Sequence, residues 1–230
     1  MAENQKITHI AFIMDGNRRW AVAQGLPKME GHTKGLENFK TIVEECSKLN
    51  IPNITFWALS TDNLKKREPG EIAHLFGLLQ DIQRYLRDFI SHGARINYIG
   101  DLTKLPSPLR VVLSDVARKT QDQTRMVVTL GINYGGHDEI LRMCKEMMKQ
   151  SSESSQVTEK SISQMIDSGS LPPVDLIIRT GGHHRLSGFL PWINDYAELY
   201  FTDKMWPEFT TDDLKIALNW YEEQVRNFGK

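Results

Sequence analysis

Residues 175–201 read DLIIRTGGHHRLSGFLPWINDYAELYF, and the order of residue types in this stretch decides the fold class. An acidic residue precedes Leu176-Ile177-Ile178, an apolar run short enough for a buried strand. Arg179 and Thr180 stand at its C-terminal end, and Gly181-Gly182 follow at once. In an open α/β sheet the ligand crevice lies outside the C-terminal ends of the strands. Arg179, His183, His184, Arg185 and Ser187 therefore place anion-binding chemistry at a functional address. Arginine forms bidentate, charge-assisted bonds to phosphate, and a glycine pair lets the backbone turn tightly and offer its N–H groups. Taken alone, the cluster reads more readily as an exposed basic turn. Other strand ends must settle the choice.

Working outward, the chain repeats the same grammar. Ile7 to Met14 reads as a first strand, closed by Asp15-Gly16-Asn17. Thr33 to Leu49 carries apolar residues at helical spacing, and Ile54 to Leu59 is a near-continuous apolar run, as a strand covered on both faces should be. Ser60-Thr61-Asp62-Asn63 follows directly. Pro69-Gly70-Glu71 introduces one long helix to about Ser91, with Ile72, Leu75, Phe76, Leu79, Ile82, Leu86 and Phe89 along one side. Strands are expected over Ala94–Ile99, Met126–Ile132 and Glu198–Phe201, and helices from Pro106, His137, Glu159 and Thr211 to about Lys119, Gln150, Ser168 and Asn227. Ser151 to Gln156 is a low-complexity stretch read as a solvent loop. This alternation predicts a single domain over 1–230: an open, mostly parallel six-stranded α/β sheet flanked by helices.

Composition bounds the function. Lys plus Arg number 28 against 29 Asp plus Glu, a formal charge of -1. Such a chain has no global field for gathering nucleic acid, which is not expected as a partner, and any anionic ligand must be held by a local cluster. The two cysteines, Cys46 and Cys144, fall beside apolar residues in helical patterns and read as buried thiols of a reducing compartment. The start lacks a signal-peptide pattern and no run of 18 apolar residues occurs, so a cytoplasmic location is expected, with work at a membrane surface left open.

The remaining strand-end loops favour a ligand. Asp15 is followed by Gly16, Asn17, Arg18 and Arg19. A carboxylate beside two arginines makes sense if a divalent cation bridges it to a diphosphate, because Mg²⁺ prefers one or two carboxylates plus phosphate oxygens. A helix cap is the plain alternative. Trp20, Lys28 and His32 lie in the next segment, and His32 stands between Gly31 and Gly35. Asn63 follows the second strand, with Lys65, Lys66 and Arg67 close behind. Glu198 offers a second carboxylate, from across an interface if the chain pairs with a copy of itself. Several such loops together point to one crevice holding two diphosphates, or a diphosphate and a nucleotide. The apolar side of the helix from Glu71 is core or the wall of a hydrocarbon channel, and periodicity cannot choose.

Here the blocks HIAFIMDGNRRWA (9–21), GHTKG (31–35), ALSTDN (58–63), INYGGHDEI (132–140) and DLIIRTGGHHRLSGFLPW (175–192) take over. In this order the chain closely resembles the cis-prenyltransferases, the undecaprenyl diphosphate synthase family, over nearly its whole length. The resemblance implies a homodimer, an apolar tunnel between helices, and peripheral contact with membranes at most. It implies (Z)-specific condensation of isopentenyl diphosphate onto an allylic diphosphate, farnesyl or geranyl, with release of diphosphate. Asp15 would be the catalytic carboxylate and, with Glu198 and His184, would serve Mg²⁺. Asn63 would position the reacting groups. Gly16, Asn17, Arg18, Arg19, Trp20, Lys28 and His32 would lie on the allylic side, and Ser60, Thr61, Asp62 and Leu64 beside them. Arg179, Arg185 and Ser187 would hold isopentenyl diphosphate. His183, Lys28 and Leu64 depart from frequent family choices, and the family's downstream arginine falls on either Lys66 or Arg67. Two other classes remain on the residues alone. One is a phosphoester enzyme, although Ile13 occupies the first position of the usual Asp-x-Asp. The other is a non-catalytic accessory subunit, against which Asp15, Arg19, Arg179, Arg185 and Glu198 stand.

Overall fold

In a computed structural model that describes residues 6–149 and 157–225, six strands form one sheet in the order β3-β4-β2-β1-β5-β6. They are β1 (His9–Ile13), β2 (Asn53–Ser60), β3 (Ala94–Ile99), β4 (Met126–Tyr134), β5 (Leu176–Arg179) and β6 (Glu198–Phe201). Every registered pair is parallel, which accounts for the near-continuous apolar runs of β1, β2 and β5. The expected sheet is therefore the observed one.

The helices are α1 (Asn17–Ala23), α2 (Lys28–Lys48), α3 (Thr61–Lys66), α4 (Pro69–Asp81), α5 (Leu86–Ser91), α6 (Ser107–Thr120), α7 (Gly136–Lys149), α8 (Glu159–Met165) and α9 (Thr211–Glu222). One face of the sheet carries the larger core. There Phe12, Ile54, Phe56 and Val128 meet Phe39 and Ile42 of α2, Leu109 and Leu113 of α6, and Leu214 of α9. Phe12 stacks on Phe56 with ring centroids 4.7 Å apart. The opposite face is closed by a smaller cluster, in which Ala11, Ile13 and Ile177 meet Leu171, Val174, Phe189 and Leu190. Connecting segments supply much of that cover.

At the N-terminal edge of the sheet, Asp175 is a staple. Its Oδ2 accepts the Thr8 and His9 backbone N–H groups at 2.6 and 2.9 Å. His9, fully buried, bridges the Pro172 carbonyl and the Thr55 hydroxyl, each at 2.8 Å. These bonds fix β5 beside β1 from below and leave the upper strand ends free for chemistry.

Several expectations need correction. The long helix to Ser91 is interrupted: α4 ends at Asp81, Ile82–Tyr85 forms a 3₁₀ turn, and α5 resumes. The tighter winding lets Ile82 and Phe89 both bury while Asp88 reaches Lys40 of α2 at 2.7 Å. β4 runs on to Tyr134, past an irregular register against Trp57–Ser60, so Asn133 and Tyr134 are buried strand residues and not loop. Cys46 is buried, but Cys144 is exposed, because it falls on the solvent side of α7, next to buried Met143. α8 stops at Met165 and gives way to a 3₁₀ turn over Asp167–Ser170. The stretch Ser151–Gln156 and the tail beyond Val225 lie outside the described residues. Among the described residues no helix is long and apolar enough to cross a membrane.

Candidate active site

The chain leaves β1 toward β2 on one side, while β5 runs on to β6 on the other. Adjacent strands whose connections diverge open a crevice at their C-terminal ends. Ile13 of β1 is in register with Arg179 of β5, so Asp15, two residues on, meets that arginine directly. Arg179 Nη2 donates to Asp15 Oδ2 at 3.0 Å, and Arg19 Nη2 donates to Oδ1 at 3.2 Å. The Gly16 N–H also donates to Oδ1, at 2.7 Å. Burial by itself would push the Asp15 carboxyl up; the Arg179 hydrogen bond and charge, with Arg19, overcome it and hold the group below the usual range. Asp15 is therefore a carboxylate at neutral pH. On its other side Arg179 donates to the Arg185 carbonyl and to the Ser187 hydroxyl, tying the late basic loop to the first strand.

Two glycines make this approach feasible. Gly16 adopts φ 104°, and a Cβ there would stand 2.8 Å from Met205 Cβ. Gly181, at φ 82°, would bring a Cβ to 2.7 Å from Arg19 Nη2, the group that donates to its own carbonyl at 2.7 Å. A side chain at either position would strain this positive-φ backbone and push the Asp15 loop away from β5.

The second half of the site grows from the end of β2. Ser60 caps α3 by accepting the Asn63 N–H at 3.0 Å. The chain then turns Arg67 inward, where Nη1 lies 2.9 Å from Glu71 Oε1. His32 Nε2 sits 3.2 Å from the same oxygen, and Arg18 reaches Glu71 Oε2 at 3.4 Å. Burial and then the Arg67 charge lower His32 to about 4, so its imidazole is neutral and is steered by Glu71. Burial would raise Glu71, but Arg67, His32 and Arg18 hold it low. Lys66 instead pairs with Asp62 on the outside at 2.6 Å. The inward cation is Arg67.

Both halves open on one cleft of about 640 Å³. Arg18, Arg19, Arg67, Arg179 and Arg185 line it against Asp15, Asp62 and Asp138, an excess of cation suited to polyanions. Buried side-chain atoms without a partner among the described residues include Asn17 Oδ1, Arg67 Nε and Arg179 Nε. Unmet hydrogen-bonding capacity in a native interior asks for an explanation, and here all three residues border the cleft. Met14, Asn17 and His32 also border a second, apolar chamber of about 90 Å³ walled by Leu36, Phe39, Leu75, Leu79 and Ile82. The polar cleft and the apolar chamber share a wall.

Of the residues singled out in the sequence, the cleft gathers Asp15, Gly16, Asn17, Arg18, Arg19, His32, Ser60, Thr61, Asp62, Asn63, Arg67, Arg179, His183, Arg185 and Ser187. Trp20, Lys28, Leu64, Lys66, His184 and Glu198 are not among its lining residues. Leu64 packs against the main core, Lys28 is exposed, and His184 stacks on Phe201 with centroids 5.0 Å apart. Leu75 and Leu79 line the apolar chamber, whereas Phe76 packs elsewhere on the core. Trp57, His137, Asp138 and Glu71 escaped the sequence reading of the site. His137 and Asp138 carried a usable signal, since they follow a strand end. Glu71 carried none, because only its neighbours in space, the cations Arg18 and Arg67 and the neutral His32, give it a role.

Among the described residues no three His, Cys, Asp or Glu side chains are placed to hold a metal together. Asp15 alone meets the need of a magnesium ion that takes most of its oxygens from phosphates and water, and its side chain keeps 29% of its exposure beside the cleft. The donor set fits an ion completed by substrate.

Comparison with known proteins agrees with this geometry. A family model described as "Putative undecaprenyl diphosphate synthase" matches residues 13–229. The isoprenyl transferase of Treponema denticola is 44% identical over 98% of this chain and 99% of its own. That of Aquifex aeolicus is 39% identical over 96% and 95%. Among solved structures, lavandulyl diphosphate synthase from Lavandula x intermedia, in complex with dimethylallyl diphosphate, superposes with a TM-score of 0.92 at 31% identity, covering 97% of this chain and 98% of that one. A probable undecaprenyl diphosphate synthase from Campylobacter jejuni gives 0.81 at 32% identity over 98% and 100%. A cationic cleft at the β1–β5 switch point, an apolar chamber beside it, and full-length similarity in sequence and fold lead to one conclusion: this chain belongs to the cis-prenyltransferase, or undecaprenyl diphosphate synthase, family.

Proposed function

We propose that the protein is a (Z)-specific polyprenyl diphosphate synthase that joins isopentenyl diphosphate to an allylic diphosphate, farnesyl or geranyl, and releases diphosphate. The observation that carries this reading is the shared wall of Met14, Asn17 and His32 between cationic cleft and apolar chamber. A phosphoester enzyme needs the first and has no use for the second.

In this reading Arg19, Asn17, His32 and Arg67 receive the allylic diphosphate, and its hydrocarbon tail enters the chamber. Each CH₂ taken from water contributes about 0.8 kcal/mol, so one five-carbon unit adds a few kcal/mol of retention. Arg185 and Ser187, braced by Arg179, hold isopentenyl diphosphate. As the allylic C–O bond breaks, charge accumulates on the leaving diphosphate beside Arg19 and Arg67, and donors already in place there stabilise it without reorganising. C4 of isopentenyl diphosphate attacks the allylic C1, and a C2 proton passes to an oxygen of the departing diphosphate as the new double bond forms. Magnesium held by Asp15 and the substrate oxygens would supply further neutralisation of that leaving group. Glu198, on edge strand β6, and the exposed His184 are assigned to a site completed by a second copy of the chain, in a cytoplasmic homodimer with at most peripheral membrane contact.

Purified protein incubated with labelled isopentenyl diphosphate, Mg²⁺ and each allylic acceptor tests the reading. Products with a new Z double bond are expected, their length set by Leu75, Leu79 and the chamber floor. Release of phosphate from simple monoesters with no prenyl product would reject it.

A further inference from the structure

Glu139 is a buried carboxyl that the proposed chemistry does not use. It is 1% exposed and does not line the cleft. Both oxygens are engaged: the Tyr134 hydroxyl donates to Oε2 and the Ser168 backbone N–H donates to Oε1, each at 2.6 Å. Burying a carboxyl is costly unless its bonds recover the loss, and burial pushes this one up despite the two donors. Volume filling does not require such a group. What it does is clamp the end of β4 and the first turn of α7 to the turn that follows α8.

The clamped elements reach the cleft by short steps. Trp57, which lines the cleft, donates from Nε1 to the Tyr134 carbonyl at 3.1 Å and stacks on Phe189 with centroids 4.9 Å apart. Gly136 donates its N–H to the Gly188 carbonyl at 2.9 Å. Gly188 follows Ser187, the hydroxyl that accepts from Arg179. A second carboxylate reinforces the same joint, since Arg142 of α7 bonds Asp138 at 2.9 Å and Asp167 at 2.6 Å. By contrast, Arg19, His32 and Arg67 are held by Asp15, Gly181 and Glu71, outside this network.

Resting on the assignment of Arg185 and Ser187 to isopentenyl diphosphate, we propose that Glu139 is a positioning residue for that half of the cleft: through Tyr134, Gly136 and Gly188 it sets where the Arg185–Gly188 loop presents its donors. Removing it loosens one substrate's site and leaves the other intact.

The test is steady-state kinetics with both substrates on wild type, Glu139→Ala, Glu139→Gln and Tyr134→Phe. Glu139→Ala is expected to raise the KM for isopentenyl diphosphate about tenfold and to move the allylic KM less than twofold. Glu139→Gln keeps an acceptor for the Ser168 N–H and should return the isopentenyl KM to within about threefold of wild type. Equal changes in both KM values, or a fall in kcat alone, would overturn the proposal, as would Glu139→Ala kinetics indistinguishable from wild type. If Glu139→Ala does not fold, Tyr134→Phe decides, with a selective rise of about threefold in the isopentenyl KM expected and no selectivity refuting it. A folded wild type that binds isopentenyl diphosphate by calorimetry but loses no affinity on Arg185→Ala refutes the site assignment beneath the proposal, an outcome separate from failure of the clamp.

Discussion

Asp15→Asn tests the centre of the site most directly, because it keeps the shape of the side chain and removes its charge. The Arg179 guanidinium keeps 5% of its exposure and Asp15 29%. Breaking a fully buried ion pair costs about 3–5 kcal/mol, whereas an exposed pair contributes about 0–1 kcal/mol. The partly exposed carboxylate of Asp15 places this pair between those limits, at about 2 kcal/mol. For a chain of 230 residues that corresponds to a fall in Tm of about 4–8 °C, small enough to leave the variant folded at 25 °C. Catalysis should suffer far more, because Asp15 orients Arg179 and Arg19 and would hold the cation that neutralises the departing diphosphate, and losing one such preorganised stabiliser costs about 10²–10³ in rate. Thermal melts paired with labelled isopentenyl diphosphate turnover separate the two effects. The pH dependence has a definite sign. Asp15 is held below its ordinary value near 3.8, so its contribution is complete above that value and disappears as pH falls through the lower folded one. The difference in Tm between wild type and variant should thus be full at pH 7 and close in strong acid. An Asp15→Asn enzyme with kcat/KM within tenfold of wild type, or an unchanged Tm, would refute the role given to this pair.

Further outcomes are expected. His32 is neutral in the fold down to about pH 4 against an ordinary 6.5, so stability is lost as pH falls from about 6.5 to about 4, by at most about 3 kcal/mol; in chemical denaturation, His32→Gln should flatten that window, and an unchanged profile would exclude His32 as its source. Arg67→Ala should raise the allylic KM by about tenfold or more while Lys66→Ala stays within twofold, since Lys66 pairs with Asp62 on the outside; equal effects would show that the inward orientation does not matter. Leu75→Phe should shorten the longest product by one or more five-carbon units, whereas Phe76→Leu should not, because only the first residue lines the chamber; product chromatography would expose the opposite order.

The amino-acid sequence by itself determined the strands, most of the helices and the family. Strand runs such as Leu176–Ile178 depend on local hydrophobicity, and the glycine-rich turns behind them depend on local backbone geometry. Asp15, Asn63 and Arg179 could be singled out because a strand end is a sequence address. Tertiary structure decided the rest. Strand order put β1 beside β5 and so turned residues 164 positions apart into an ion pair at 3.0 Å. The chain leaves α3 at Lys66 and turns extended at Arg67, which sent Arg67 inward and Lys66 out, a difference of one residue that composition cannot resolve. The interruption at Ile82–Tyr85 and the exposure of Cys144 follow from which neighbours each helix meets. Glu71 and Glu139 look like ordinary acidic residues in sequence. Their roles come from cations and donors brought to them by segments distant in the chain, and long-range pairing of that kind leaves no local periodicity to read.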